Sequence, residues 1–186
     1  MIEMLRDDVR DLNRVTIALA ARASTDSDAG LNRLGLDRDV VSLMRAADDE
    51  ARESAANCGQ PLVQLQIRHL AEVLNGAVAA SSVCPPLPAS VQAWQHQALV
   101  VLQRCTLIEP ELSVVWFDLP PSLVEKLLQY RLKDLSVMAE DPCGLFAVRY
   151  GQNRQCWRQL LVSPVVVGAS RARSLAQTTA LVQAAA

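Results

Sequence analysis

The chain has 186 residues, a formal net charge of −2, 51% hydrophobic residues and 20% charged residues, so it can bury a core as one large domain or two small ones. A net charge so close to zero does not mark the whole surface as a nucleic-acid-binding surface. No apolar run approaches the roughly 18 residues that a membrane span needs, and charges interrupt the first twenty positions, which argues against a secretory signal peptide.

The first part of the chain is predicted to be helical. Apolar residues recur every three or four positions over residues 2–24, which predicts a long helix with one buried face. Gly35 is suited to end a short helix in the left-handed conformation, and Asp37 is suited to cap the N-terminus of the next helix. The shorter helices of this part are predicted at residues 29–34, 38–46, 48–57 and 69–80.

The stretch Ser81–Ala89 contains three prolines in nine residues, which prevents a helix and holds the chain extended. We therefore predict a domain boundary there, between a first unit at residues 1–80 and a second unit at residues 90–186. Pro120 and Pro121 are suited to open a helix in the second unit. The other helices of this unit are predicted at residues 91–106, 111–117, around 132–138, 153–161 and 170–184, with a loop at 163–168.

Two short segments about 83 residues apart alternate between apolar and other residues. The alternating positions are Val63, Leu65 and Ile67 in the first segment and Phe146, Val148 and Tyr150 in the second. Period-two alternation is typical of a half-buried extended segment. Because a lone strand cannot satisfy its own backbone groups, we predict that residues 61–67 and 144–150 pair with each other. These six side chains would then form the interface between the two units.

The two units also share an order of elements. Each is predicted to contain a long helix, a short turn, two helices, an extended segment and another helix, in that order. Between Leu36/Leu119 and Ile67/Tyr150, identical residues are few and occur in the pairs Leu36/Leu119, Val41/Val124, Ala56/Ala139 and Leu62/Leu145. A repeat longer than about 50 residues indicates a duplicated domain rather than a solenoid.

Short motifs lie at matching places in this order of elements. They are Asp11-Leu12-Asn13, Leu19-Ala20-Ala21-Arg22, Arg33-Leu34-Gly35-Leu36, residues 55–67, Met138-Ala139-Glu140, Val148-Arg149-Tyr150 and Ala172-Arg173-Ser174-Leu175. Together they resemble FlhD, a subunit of the bacterial flagellar master transcriptional activator. The resemblance covers most of the chain as two copies.

The resemblance implies an all-α fold, in which two tandem FlhD-like units form an intramolecular pseudo-dimer. It also implies a non-enzymatic transcription regulator without a cofactor, a small-molecule substrate or membrane attachment. Members of the family pair with a zinc-binding partner, FlhC, to bind promoter DNA, so an FlhC-like protein and promoter DNA are the implied partners. Some members carry a cysteine in the extended segment that links two subunits. The aligned positions here are Val63 and Phe146, so we expect no such link.

Charge is distributed unevenly along the chain. Residues 1–75 carry 13 acidic residues and 9 arginines, whereas residues 142–186 carry five arginines and no acidic residue. We predict that any contact with DNA phosphates comes from these arginines, with Arg154 and Arg158 as the first choice because a spacing of four places them on one helix face. The full set is Arg149, Arg154, Arg158, Arg171 and Arg173. The alternatives are a solvated helix face and, for the whole protein, an adaptor that binds other proteins without touching DNA.

The cysteines and histidines do not predict an enzyme or a metal centre. The five cysteines, at positions 58, 84, 105, 143 and 156, include no Cys-x-x-Cys pair. His69 could meet Cys58 and His96 could meet Cys105, but the sequence does not offer the closely spaced ligand pairs of a structural zinc site. We therefore expect a cytoplasmic protein with reduced thiols and no metal.

Overall fold

The computed structural model describes residues 2–23, 28–75 and 85–161, and within them the chain is mostly helical. The first half contains α1 (Ile2–Arg22), α2 (Asp28–Leu34), α3 (Arg38–Ala46), α4 (Asp49–Ala56), β1 (Val63–Leu65) and α5 (Ile67–Leu74). The second half contains α6 (Ala89–Ile108), α7 (Pro110–Phe117), α8 (Pro121–Leu127), α9 (Leu132–Ala139), β2 (Phe146–Val148) and α10 (Arg154–Leu160). The predicted helical character is confirmed, and the same order of elements occurs in both halves.

Five predicted features lie wholly or partly outside the described residues. They are the last residue of the helix at residues 2–24, the end of the helix at residues 69–80, the start of the proline-rich linker, the loop at residues 163–168 and the helix at residues 170–184. Within the described residues, the helix predicted at residues 69–80 ends at Leu74. The described end of the linker, residues 85–88, contains no helix or strand, and α6 begins directly after it.

Two helices of the first half illustrate how the sequence pattern predicts a buried face and a helix start. In α1 the side chains of Leu5, Val9, Leu12 and Thr16 recur every three or four residues and are all buried. The side chain of Asp37 caps α3 by accepting a hydrogen bond from the backbone N–H of Asp39 at 2.7 Å. The predicted cap and the predicted bounds of α3 are confirmed.

The helices α2 and α7 both end in the left-handed conformation. Gly35 follows α2 with φ 66°, and Asp118 follows α7 with φ 54°. Glycine adopts this conformation at little cost, and at Gly35 an added Cβ would also come within 3.1 Å of the Ala147 side chain. The same turn is therefore made by a glycine in one half and by an aspartate in the other.

The two strands pair with each other in antiparallel orientation, which confirms the predicted pairing. Val63 lies opposite Val148, Gln64 opposite Ala147, and Leu65 opposite Phe146. The pairing extends by one hydrogen bond at each end, from the N–H of Gln66 to the carbonyl of Leu145 at 2.8 Å and from the N–H of Arg149 to the carbonyl of Leu62 at 2.9 Å. Val63, Leu65, Phe146 and Val148 are buried.

The strands are shorter than predicted. Ile67 begins α5 instead of continuing β1, and Tyr150 lies in a turn after β2 with φ 57°. Both side chains pack against the core from these new positions. Tyr150 still reaches the first half, because its hydroxyl lies 3.3 Å from the side-chain nitrogen of Gln60.

One continuous core contains buried residues of both halves. The long helices α1 and α6 pack against each other, and Trp94 of α6 joins three elements. Its indole N–H donates to the Thr16 hydroxyl of α1 at 2.9 Å, and its ring meets the Phe146 ring edge-on at a centroid distance of 6.5 Å. In the described part of the chain, no helix has the length and apolar character needed to cross a membrane.

Candidate functional site

The fold buries one of the arginines predicted to contact DNA and leaves two others exposed among the described residues. Arg149 is only 5% exposed, and its guanidinium donates to the carbonyl of Trp116 at 2.6 Å and lies 3.4 Å from the carboxylate of Asp118. A guanidinium enclosed in this way cannot reach a phosphate group. The structure therefore corrects the inclusion of Arg149 in a DNA surface and gives it a structural role at the end of α7.

Arg154 and Arg158 remain exposed, both on α10. This helix packs against α3 of the other half, and Arg154 donates to the carboxylate of Asp39 at 2.9 Å. An exposed ion pair of this kind is weak, so Arg154 could exchange Asp39 for a phosphate. Arg171 and Arg173 lie outside the described residues.

A group of polar side chains meets at one end of the strand pair, and this group was missed by the sequence reasoning. The ligand atoms of His69, Asp141 and Cys143 all lie within 4.8 Å of one another. His69 Nε2 is 3.0 Å from Asp141 Oδ1, and His69 Nδ1 is 3.6 Å from a carboxylate oxygen of Glu72. We call the first three residues the His69 cluster.

The antiparallel pairing explains why the His69 cluster forms. The last hydrogen bond of the strand pair joins Gln66 to Leu145, and α5 begins at Ile67, so His69 in the first turn of α5 lies beside the turn that carries Asp141 and Cys143. The sequence predicts the pairing of the strands but not its register. Cys58 is the cysteine closest to His69 in sequence, whereas Asp141, which His69 contacts, lies 72 positions away.

The other histidine–cysteine pair considered from the sequence, His96 with Cys105, does not form either. His96 Nε2 lies 3.2 Å from the hydroxyl of Ser136. Cys105 is buried, and burial is the main reason that the pKa of its thiol is raised to about 12. Burial, and to a lesser degree the nearby Cys58, raises the pKa of Cys156 to about 11. Neither Cys105 nor Cys156 therefore has the lowered pKa of a nucleophilic cysteine.

A surface cavity of about 290 Å³ lies beside the N-terminal part of α1. It is lined by Arg6, Asp7, Val9, Arg10, Ala56, Asn57 and Gly59. Arg10 pairs with Asp7 inside this lining at 3.0 Å. The lining thus contains one internal ion pair and one further arginine, Arg6, and it shares no residue with the His69 cluster.

Comparison of the chain with known protein families, with curated proteins and with solved structures gives no significant match.

Proposed function

We propose that the chain is a tandem duplication of FlhD-like units that form an intramolecular pseudo-dimer, and that it acts as a subunit of a complex regulating flagellar or related genes. The proposal rests on the resemblance of the sequence motifs and on the way in which the two halves meet. The reciprocal pattern of contacts between the halves is the observation that carries it.

Equivalent elements of the two halves contact each other, as α1 contacts α6 and β1 contacts β2. The strand pairing is centred on Gln64 and Ala147, which are equivalent positions of the repeat. Four of the contacts between different elements form two reciprocal pairs: α3 with α10 and α8 with α5, then α2 with β2 and α7 with β1. The additional contact of α10 with α4 departs from this reciprocity. Such reciprocity is typical of a two-fold interface between identical subunits, here with both sides on one chain.

Closure of the interface within one chain favours a role as a regulatory subunit with limited DNA contact of its own. In the part of the chain that the structure describes, Arg154 and Arg158 are the predicted DNA-contacting residues that stay exposed. Two phosphate contacts give weak binding, with a salt slope of only about −2. We therefore propose that an FlhC-like partner supplies most of the affinity and specificity for promoter DNA.

A second function is favoured by the charges around α10. Arg154 is already paired with Asp39, and the first half carries an excess of acidic residues that repels phosphate. These charges favour a protein-binding adaptor with the same fold and no direct DNA contact. The two functions differ in whether substitutions on α10 change DNA binding.

The test is a titration of duplex DNA at two salt concentrations, with and without an FlhC-like partner. The double variant Arg154→Ala/Arg158→Ala is compared with Arg22→Ala/Arg68→Ala, which removes the same charge from exposed positions on α1 and α5. We expect only the α10 variant to weaken binding, with a salt slope smaller by about 1 to 2, since each phosphate contact contributes about 0.9. Equal effects of the two variants would refute a DNA surface on α10. Absence of binding even with the partner would favour the adaptor.

The pseudo-dimer has a separate test. A chain that satisfies its own dimer surface should scatter light as a monomer, with or without a thiol reductant. A dimer that dissociates in reductant would contradict the proposal, because it would show that a disulfide between chains is needed for association.

A further inference from the structure

The His69 cluster has donors of three kinds at one place: an imidazole nitrogen, a carboxylate oxygen and a thiol sulfur. Their ligand atoms lie within 4.8 Å of one another. Donor atoms that share a tetrahedral metal ion at bond lengths of about 2.0 to 2.3 Å lie a little over 3 Å apart. The His69 Nε2–Asp141 Oδ1 distance of 3.0 Å is close to this spacing.

The backbone holds the donors in position before any ion arrives. His69 lies in the first turn of α5, and Asp141 and Cys143 lie in the turn between α9 and β2. The hydrogen bond from the Gln66 N–H to the Leu145 carbonyl, at 2.8 Å, ties these two segments together. Asp141 Oδ1 also accepts from the N–H of Cys143 at 2.8 Å, which fixes the carboxylate against its own turn.

We propose that His69, Asp141 and Cys143 bind a Zn²⁺ ion, with water as the fourth ligand. Nitrogen and sulfur donors suit zinc and disfavour Mg²⁺ and Ca²⁺, which prefer oxygen ligands alone. One carboxylate and one thiolate balance the two positive charges of the ion. The site joins the two halves of the chain, because His69 comes from the first half and the other two ligands from the second.

Glu72 completes the arrangement as an orienting residue. Its carboxylate lies 3.6 Å from Nδ1 of His69, on the side of the ring away from Asp141. A zinc-bound histidine usually donates its other ring N–H to a carboxylate or carbonyl, which fixes the ring and the tautomer. A small movement of the exposed Glu72 side chain makes this hydrogen bond and leaves Nε2 for the metal.

Binding displaces a proton, because zinc binds the thiolate of Cys143 and not its thiol. The balanced step is Zn²⁺ plus the Cys143 thiol, the Asp141 carboxylate and neutral His69, giving the complex and one released proton. The affinity for zinc therefore falls as the pH is lowered. The ion also links α5 to the turn before β2, so zinc stabilises the folded chain by an amount that rises with the logarithm of its concentration above the dissociation constant.

The experiment uses the full chain, stripped of metal with a chelator and kept in a reductant that does not bind zinc. Co²⁺ alone is the spectroscopic probe, and Zn²⁺ then displaces it. We expect one Co²⁺ per chain, a thiolate-to-cobalt charge-transfer band and the intense visible absorption of tetrahedral cobalt. Cys143→Ser should abolish the charge-transfer band, and His69→Gln and Asp141→Asn should each weaken binding by more than the roughly 10- to 100-fold that loss of an outer-shell partner costs.

Matched controls separate this site from the other thiols and histidine. Cys58→Ser and His96→Gln, which change the same residue types elsewhere, should leave the spectrum and the affinity unchanged. Glu72→Gln should weaken binding less than a ligand substitution does. Folding of each variant is checked by circular dichroism, and protection of Cys143 from alkylation by Zn²⁺ in the wild type serves as a readout that needs no variant.

Two outcomes would overturn the proposal. One is a cobalt spectrum without a charge-transfer band, or one that survives Cys143→Ser. The other is that His69 and Asp141 form only an ion pair and bind no metal. In that case His69→Gln and Asp141→Asn lower the urea midpoint, but Zn²⁺ changes neither the urea midpoint of the wild type nor the alkylation of Cys143.

Discussion

The two halves hold their strands by the same hydrogen bond, made with different residues. In the first half, the side-chain oxygen of Asn13 accepts from the N–H of Leu62 at 2.7 Å. In the second half, the side-chain oxygen of Gln95 accepts from the N–H of Leu145 at 2.8 Å. Each amide is buried on the long helix of its half, and each acceptor satisfies the backbone N–H just before the strand. Both halves therefore satisfy this backbone N–H with a buried side-chain amide, although the residue is Asn13 in one half and Gln95 in the other.

A second difference lies between the long helix and the fourth helix of each half. Arg14 of α1 forms a charged pair with Glu53 of α4, whereas His96 of α6 contacts Ser136 of α9. A third lies at the two ends of the strand pair. One end carries the His69 cluster, and the other carries two cysteines, Cys58 and Cys156, close enough that Cys58 contributes to the raised pKa of Cys156. The halves therefore share a backbone arrangement more than a set of side chains.

The largest effect is expected at Trp94, which no tryptophan matches in the first half. Truncation by Trp94→Ala should destabilise the chain by about 3 to 5 kcal/mol, because it removes a large buried ring between α1, α6 and β2. Thr16→Val, which removes the acceptor of the Trp94 N–H and the donor to the Leu12 carbonyl, should cost about 1 to 2 kcal/mol. Urea unfolding followed by circular dichroism measures both. Gln97→Ala on the same helix is the control, and a Thr16→Val effect as large as that of Trp94→Ala would argue against packing as the main contribution.

The two buried amides should differ in importance. Asn13→Ala leaves the N–H of Leu62 and the carbonyls of Ala56 and Gln60 without this partner, so we expect the free energy of unfolding to fall by about 3 kcal/mol. Gln95→Ala leaves the N–H of Leu145 without its partner, so we expect the free energy of unfolding to fall by about 1 to 2 kcal/mol. The urea midpoints of the two variants give the comparison. Equal losses would mean that the amides do not contribute through the number of hydrogen bonds they make.

How well the sequence predicts each feature of this fold depends on how far apart along the chain the residues that form it lie. Local features such as the cap at Asp37 and the left-handed turn at Gly35 depend on adjacent residues, and both are confirmed. The strand pairing was also predictable, since a lone strand needs a partner. The lengths of the strands were not, because Ile67 suits a helix start as well as a strand end.

The candidate site was less predictable. The burial of Arg149 depends on the carbonyl of Trp116, 33 residues earlier, and no local pattern indicates that contact. The His69 cluster depends on the register of the strand pair, which alternation alone does not determine because several registers bury the same apolar faces. Residue types showed which side chains could do chemistry, but only the register showed which of them meet.

The two ends of the strand pair should differ in thiol reactivity. With a pKa of about 11 instead of the ordinary 9.0, Cys156 has about a hundredfold less thiolate at pH 8, and its burial slows attack further. Cys143 is only half-buried and should be alkylated in the native protein. Mass spectrometry of a Cys84→Ser variant, labelled before and after unfolding, measures each rate. Labelling of Cys156 at the rate of Cys143 would contradict the burial of α10 against α4.

The smallest effect is expected at the charged pair of the first half. The hydrogen bond from Arg14 holds the pKa of Glu53 below its ordinary value of 4.5. A lowered carboxylate pKa stabilises the fold above pH 4.5, and this contribution is lost as the pH falls below 4.5 toward the lowered value. Both side chains are 44% exposed, so water and salt screen the pair. Glu53→Gln should therefore lower the urea midpoint slightly at pH 7, less than any change above.

Low pH and high salt should distinguish the Arg14–Glu53 pair of the first half from the His96–Ser136 contact of the second half. The difference between Glu53→Gln and the wild type should shrink at pH 3 or in 1 M salt, since protonation or screening removes the same interaction in the wild type. Ser136→Ala, which removes the hydroxyl that His96 contacts, involves no carboxylate and should show no comparable change between pH 7 and pH 3 in salt-screened buffer. Urea midpoints at the two pH values test this. If Glu53→Gln keeps its full effect at pH 3, the pair acts through packing of the long side chains, and the charge difference between the halves has no energetic consequence.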